Sequence, residues 1–403
     1  MADFVQSGEI GTLHNLRNRS VEELEADLAS WSKVTPMSLV LPCLYSELEG
    51  PALGPIIDKL CHATYLEEII IGLDRANREQ FDIARKFFDR LPQKKVILWN
   101  DGPRLLSVDA SLAAEALAPT ELGKGRNVWY CFGYFLAAGY SKAVALHDCD
   151  IVMYRREMLA RLLYPIVHPL FDYVFCKGYY YRSADGRLNG RVVRLLVAPL
   201  LRAMKQTLGA DDYLDFMSSF RYPLAGEFSM RAEVVPSLRI PSDWGLEIGT
   251  LSEMYRNYSH HRICQVDIAD AYDHKHQEVS EDDATRGLNR MSVDICKTLF
   301  RKLAVQGVVF SPEVLRTLKA CYYRTALDMV DHYYNDAVMS GLTLDRHREE
   351  KTIELFAQSI LNAGDVYFSN PHATPFVPSW SRVHSAHPGI EEMICDAVYA
   401  DNA

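Results

Sequence analysis

Lys142-Ala143-Val144-Ala145-Leu146-His147-Asp148-Cys149-Asp150 is a short apolar run that ends abruptly in charge. A strand buried on both faces of a parallel sheet reads as just such a continuous apolar run. Three similar runs lie upstream: Met37-Ser38-Leu39-Val40-Leu41, ended by Pro42; Leu66-Glu67-Glu68-Ile69-Ile70-Ile71, followed by Gly72 and Asp74; and Lys95-Val96-Ile97-Leu98-Trp99, followed by Asn100-Asp101-Gly102. Amphipathic segments of helical length, Glu79 to Leu91 and Asn127 to Gly139, separate them. Strands alternating with helices predict a parallel α/β sheet. In such sheets ligands bind beyond the carboxyl ends of the strands. The sequence therefore places Pro42 to Glu49, Asp74, Asn100-Asp101 and Asp148 to Asp150 on one rim.

Outward from this core the pattern changes. Residues 1–35 read as a helical leader, with Ser20 before Glu22 and Glu23 as a helix start. Residues 36–280 read as the sheet-containing domain, and residues 281–403 as a mainly helical region. In that region Met291 to Val305 and Ser311 to Met339 carry apolar residues at helical spacing, and a loosely patterned stretch runs from Asn370 to Pro388. The amphipathic C-terminal helices fit a homodimer interface or a lid as well as they fit plain packing.

The chain has 403 residues, and about half of them are apolar. Its formal net charge of -10 argues against a nucleic-acid-coating protein, which needs a basic surface to displace counterions. No apolar run approaches the roughly 20 residues that span a bilayer. The start of the chain lacks a signal core, and its nine cysteines are scattered without a CxxC pair. Reduced cysteines and a cytoplasmic location are the expectation.

Two carboxylates at a strand end, Asp148 and Asp150, can hold a divalent cation that bridges two phosphates. An isolated triplet of this kind is more often a turn; its place after a buried strand gives it weight. Gly123-Lys124-Gly125 precedes a helix and suits a phosphate, although it lacks P-loop spacing. His274 and His276 follow the apolar stretch Ile263 to Ile268 and offer imidazole ligands. Asp243-Trp244-Gly245-Leu246-Glu247 adds acids beside an aromatic. Arg182, Arg187, Arg191 and Arg194, with Gly186 and Gly190, form a basic patch suited to a small anionic acceptor.

Taken in order, these pieces resemble the retaining glycosyltransferases that make glucosyl-3-phosphoglycerate and, more distantly, mannosylglycerate synthase. The resemblance runs from about Met37 to Gln277. Its carriers are Pro42-Cys43-Leu44-Tyr45-Ser46-Glu47, Gly123-Lys124-Gly125, Asp148-Cys149-Asp150, Gly190-Arg191-Val192-Val193 with Pro199-Leu200-Leu201, Pro223-Leu224-Ala225-Gly226-Glu227, Trp244 to Gly249, and Gln265-Val266-Asp267 leading to the histidines.

The resemblance implies a GT-A nucleotide-diphospho-sugar transferase fold and a nucleotide-sugar donor. It implies that Asp150 and His274, with His276 as the alternative, hold Mg2+ or Mn2+. Pro42, Cys43, Leu44, Glu47, Asp74, Lys124, Asp148 and Cys149 would line the donor site. Gly190, Arg191 and Val193 would meet the acceptor, and Glu247, Asp148 and the Leu224 carbonyl would lie near the reacting sugar. Val193 stands where the family carries a threonine that donates to the acceptor phosphate, and valine cannot donate. Arg191, Arg187 or Arg194 would then carry that charge. Transfer from UDP- or GDP-glucose to the 2-hydroxyl of 3-phosphoglycerate is the leading reading; a mannosyl donor, free glycerate or another small hydroxy acid as acceptor, or sugar-nucleotide binding without turnover are the alternatives.

Overall fold

The computed structural model describes residue 6 and residues 8–17, 19–270, 272–273, 287–370 and 377–403. His274 and His276 lie outside the described residues, as does the expected seam at residues 280–281. The strands are β1 Gly11–Leu13, β2 Met37–Leu44, β3 Leu66–Asp74, β4 Lys94–Trp99, β5 Ala143–Leu146, β6 Phe175–Tyr180, β7 Ser183–Ala184, β8 Arg187–Leu188, β9 Phe228–Arg231 and β10 Ile263–Ala269. Eight of them form one sheet in the order β1-β10-β6-β9-β5-β2-β3-β4. All neighbouring pairs in it are parallel except those of β9, which runs antiparallel to both β5 and β6.

The helices are α1 Val21–Trp31, α2 Leu53–Leu60, α3 Arg78–Phe88, α4 Pro103–Ala114, α5 Lys124–Ala138, α6 Arg156–Val167, α7 Ala198–Leu208, α8 Asp212–Ser219, α9 Leu246–Asn257, α10 Gly287–Val305, α11 Pro312–Met339, α12 Arg346–Ser369, α13 Trp380–Ala386 and α14 Ile390–Asn402. A π-helical segment, Val192–Val197, leads into α7. Among the described residues no helix is long and apolar enough to cross a membrane.

Strand alternation sorts the core into two layers. Leu39, Leu41, Ile69 and Ile71 pack on one face with α2, α3 and α6, whereas Val40 and Ile70 pack on the other with α5 and the C-terminal helices. Each such side chain, fully buried, contributes about 1.5–3 kcal/mol through removal from water. That double burial is why β2 and β3 read as unbroken apolar runs.

Two expectations need correction. The leader is not simply helical: Gly11–Leu13 is a strand that pairs with β10 through Gly11↔Cys264, Thr12↔Gln265 and Leu13↔Val266. Its three residues are too few to show a period, and the backbone groups of the β10 edge hold it. Nor does Pro42 end β2, which continues to Leu44. The Val40 carbonyl accepts from His147 N at 3.2 Å, so Val40 and Pro42 both point their backbone groups toward β5. β5 has already ended at Leu146, so no ladder bond is lost where proline has no N–H.

Candidate active site

The carboxyl ends of β2, β3, β4, β5, β6 and β10 share one rim, and the antiparallel β9 brings its amino end there through Leu146↔Phe228. Directly beyond β5, Cys149 turns into the core, 4% exposed, while the Asp148 side chain stays 24% exposed. Gly226, just before β9, makes room for Asp148. A Cβ at Gly226 would sit 2.2 Å from Asp148 Oδ2.

Lys124 opens α5 and reaches across this rim. Its ammonium lies 2.6 Å from Asp148 Oδ1 and 3.1 Å from Glu247 Oε1, the latter on the first turn of α9. Burial alone would lower the Lys124 pKa, but the two carboxylates outweigh it and hold the group firmly protonated. The close seating of α5 requires Gly125, where a Cβ would meet the Pro241 carbonyl at 2.2 Å. Thus three motifs separated in sequence meet at one ammonium group.

Negative charge is crowded around it. Burial, with Asp148 next, pushes the Asp150 carboxyl up to about 7, and Glu47 and Glu227 act in the same direction. Among the described residues no cluster of three metal-ligating side chains closes. Asp150 nevertheless offers hard oxygen donors among carboxylates whose mutual repulsion a divalent cation would relieve, so the residues fit Mg2+ or Mn2+. At the β3 end Asn100 donates to Asp74 at 2.6 Å, and burial raises the Asp74 pKa. Pro42, Cys43 and Leu44 close β2, and Glu47 lies on the following 3-10 turn.

The next layer was visible in the sequence only as Glu227, the last residue of one motif; its partners and Lys177 were not. Glu227 is fully buried and accepts from Tyr180 at 3.0 Å and from Tyr272 at 2.8 Å. The two tyrosine rings stack at 3.7 Å. Burial and Asp148 push Glu227 up to about 7. Lys177, on β6 and 1% exposed, donates to the Ala225 carbonyl, and burial brings it down to about 8. A lysine inside the run Phe175-Cys176-Lys177-Gly178 was the available signal. His147 is buried and pushed down to about 3 by desolvation, so it is neutral.

The Gly190 segment joins this site through aromatic contacts. Tyr180 packs on Tyr222 at 4.8 Å, Arg182 donates to the Tyr222 hydroxyl at 3.4 Å, and a Cβ on Gly190 would touch Arg182 at 3.3 Å. Gly190 has φ +77°, a left-handed conformation that glycine adopts without strain. Arg191 follows it and Val193 is buried at 7%. Arg194, expected as a candidate for the acceptor's charge, is not available: it binds Glu349 of α12 through two bonds, 2.6 and 3.1 Å, and donates to Asn189 O at 2.7 Å. Asp243 is committed too, since it accepts from Gly245 N at 2.8 Å and shapes the turn into α9. Leu224, half-buried, precedes the Ala225 carbonyl bound by Lys177.

A mostly parallel sheet with one antiparallel strand, and an acidic pair beyond β5 whose Asp148 is met by a lysine from the α5 start, fit a GT-A glycosyltransferase. The chain belongs to the glucosyl-3-phosphoglycerate synthase family. It is 44% identical to the glucosyl-3-phosphoglycerate synthase of Persephonella marina over 403 residues, covering 100% of both chains. It is 37% identical to that of Methanococcoides burtonii, over 99% of this chain and 98% of the relative. The Mycobacterium tuberculosis glucosyl-3-phosphoglycerate synthase, solved with Mn2+, UDP-glucose and phosphoglyceric acid, shares the fold at TM-score 0.53 and 22% identity, covering 76% of this chain and 90% of that one. No family model matches.

Proposed function

We propose that this enzyme transfers glucose from UDP-glucose to the 2-hydroxyl of 3-phosphoglycerate, with retention at the anomeric carbon. The observation that carries the reading is Lys124, held 2.6 Å from Asp148 and 3.1 Å from Glu247 at the sheet's carboxyl rim. A protonated lysine there meets a leaving diphosphate with a fixed charge, and electrostatic stabilisation of this kind is usually the largest single term in catalysis. The names of the full-length relatives support glucose and 3-phosphoglycerate as the substrates.

Residues 36–280 serve as the transferase unit and residues 281–403 buttress it. In the donor site Pro42, Cys43, Leu44, Glu47 and Asp74 line the nucleoside end, while Lys124 faces the diphosphate. A divalent cation held by Asp150 with His274 or His276, both outside the described residues, would supply Lewis-acid stabilisation of the leaving diphosphate. Gly190 and Arg191 orient the acceptor, converting a bimolecular attack into a positioned one. Glu247 and the Leu224 carbonyl flank the sugar.

Neither acid suited by position to a covalent step is a free nucleophile. Glu227 takes two tyrosine hydrogen bonds and is pushed up to about 7 by burial, and Glu247 is paired with Lys124. These engagements support attack without a glycosyl-enzyme, and with retention that attack comes from the leaving-group face. The test is NMR of the product formed from UDP-glucose, an α-linked donor: an α-glucoside at the glycerate 2-hydroxyl is expected. A β-glucoside, or a glycosyl adduct on Glu227 or Glu247 by mass spectrometry, contradicts it.

A further inference from the structure

We propose that Arg348, on the first turn of α12, is a specificity-determining residue that binds the acceptor's phosphate together with Arg191. The inference rests on the acceptor assignment above and deepens it.

The turn that would meet the acceptor's phosphate lacks a hydroxyl donor. Val193 has no polar atom to offer, and its side chain is buried. A phosphate monoester carries about 1.5 to 2 negative charges near neutrality and seeks charge-assisted hydrogen bonds. Arg194 cannot provide them, because Glu349 engages its guanidinium twice. What remain are Arg187, exposed on β8, and, at the Gly190 turn itself, Arg191, whose Nη1 is buried and has no hydrogen-bond partner among the described residues. A buried guanidinium N–H without an acceptor is costly unless a ligand supplies one.

Helix α12 brings a second cation to the same place. The chain before it is clamped to the β7–β8 hairpin: Thr343 N donates to Gly186 O at 2.8 Å, and Leu188 N donates to Thr343 O at 3.3 Å. Asp345 caps α12 by accepting from Arg348 N at 3.1 Å, and Glu349 then locks the turn onto Arg194. Arg348 is therefore fixed at its backbone, while its side chain is exposed and makes no ion pair or hydrogen bond among the described residues. Arg348 immediately precedes Glu349, which grips Arg194 three residues beyond Arg191, so the first turn of α12 sits against the turn that carries Arg191, and after burial Arg348 acts to lower the Arg191 pKa. Two cations held near each other, with the adjacent carboxylate already used, form a site for a dianion. The phosphate of a small phosphorylated hydroxy acid fits that description, and free glycerate does not.

Steady-state kinetics of the full chain with Arg348→Ala and Arg348→Lys, using UDP-glucose with either 3-phosphoglycerate or glycerate, tests this. Loss of a charge-assisted contact corresponds to about a 10- to 100-fold rise in KM. Arg348→Ala is expected to show that rise for 3-phosphoglycerate, with kcat changed by less than about threefold and the glycerate KM unmoved. Arg348→Lys keeps the charge without the fork and is expected to recover part of the loss. A wild-type KM for 3-phosphoglycerate in the alanine variant, or equal losses for both acceptors, overturns the proposal while leaving the acceptor reading in place. Wild-type enzyme that never uses 3-phosphoglycerate overturns the acceptor reading itself. If the alanine variant fails to fold, the lysine variant still decides, because a structural role would not separate the two acceptors.

Discussion

Glu349→Ala should destabilise the enzyme more than almost any other single charge removal. The Arg194 and Glu349 side chains are 8% and 7% exposed, and two bonds of 2.6 and 3.1 Å join them. Deleting one partner of a buried pair leaves an uncompensated buried charge, at about 3–5 kcal/mol. The stranded guanidinium keeps the Asn189 carbonyl at 2.7 Å and the Tyr333 ring at 4.9 Å, which places the expected loss at the lower end, about 3 kcal/mol. Replacing both residues, as Arg194→Met with Glu349→Leu, removes both desolvation penalties and should cost far less than the single change. Thermal unfolding of the wild type, both single variants and the double variant closes the cycle. The single variants should lose several degrees, and the double variant should recover most of it. A double variant as unstable as the sum of the singles would refute the reasoning. Because this pair also ties α12 to the Gly190 turn, Glu349→Ala should raise the acceptor KM more than the donor KM.

Other outcomes follow from the rim. Lys124→Met should lower kcat/KM by about 10²–10³, the usual loss of one preorganised charge stabiliser, with the overall fold retained by circular dichroism. Gly226→Ala should cut activity sharply with a smaller effect on Tm, since its Cβ would meet the Asp148 carboxylate at 2.2 Å and move it. Glu227 has a folded-state pKa raised from 4.5 to about 7 by burial, so the stability it contributes is full below about pH 4.5 and is lost as pH rises through 7. Glu227→Gln should flatten that part of the metal-free stability profile, by an amount on the order of 3 kcal/mol; an unchanged profile from thermal melts between pH 4.5 and 8 would show that Glu227 is not protonated in the fold.

The central strands were readable because double burial writes itself as apolar runs: β2, β3, β4 and β5 all lie where such runs end in polar residues. β6 carries Lys177 and Gly178, β9 has four residues and β1 has three, so none displays a period. The rim was legible through its position after those strands, which is how Asp148 and Asp150 were singled out, whereas Lys124 stood out as a lysine between glycines before a helix and Glu247 as an acid beside Trp244 in a motif that carries the family resemblance. Glu227 stood in a motif, but its tyrosine cage was not legible, because Tyr180 and Tyr272 stand 47 and 45 residues away in sequence. Arg194 looked like an acceptor residue for the same reason: Glu349, which occupies it, is 155 residues distant. Local pattern reports burial and strand ends well, and it is blind to long-range pairing.

The most direct measurement is glucose transfer from UDP-glucose to 3-phosphoglycerate by the purified chain, with and without Mg2+, beside an Asp150→Ala control. The account predicts metal-dependent glucosyl-3-phosphoglycerate from the wild type and none from the control. Turnover that is undiminished by chelation and by Asp150→Ala would contradict it.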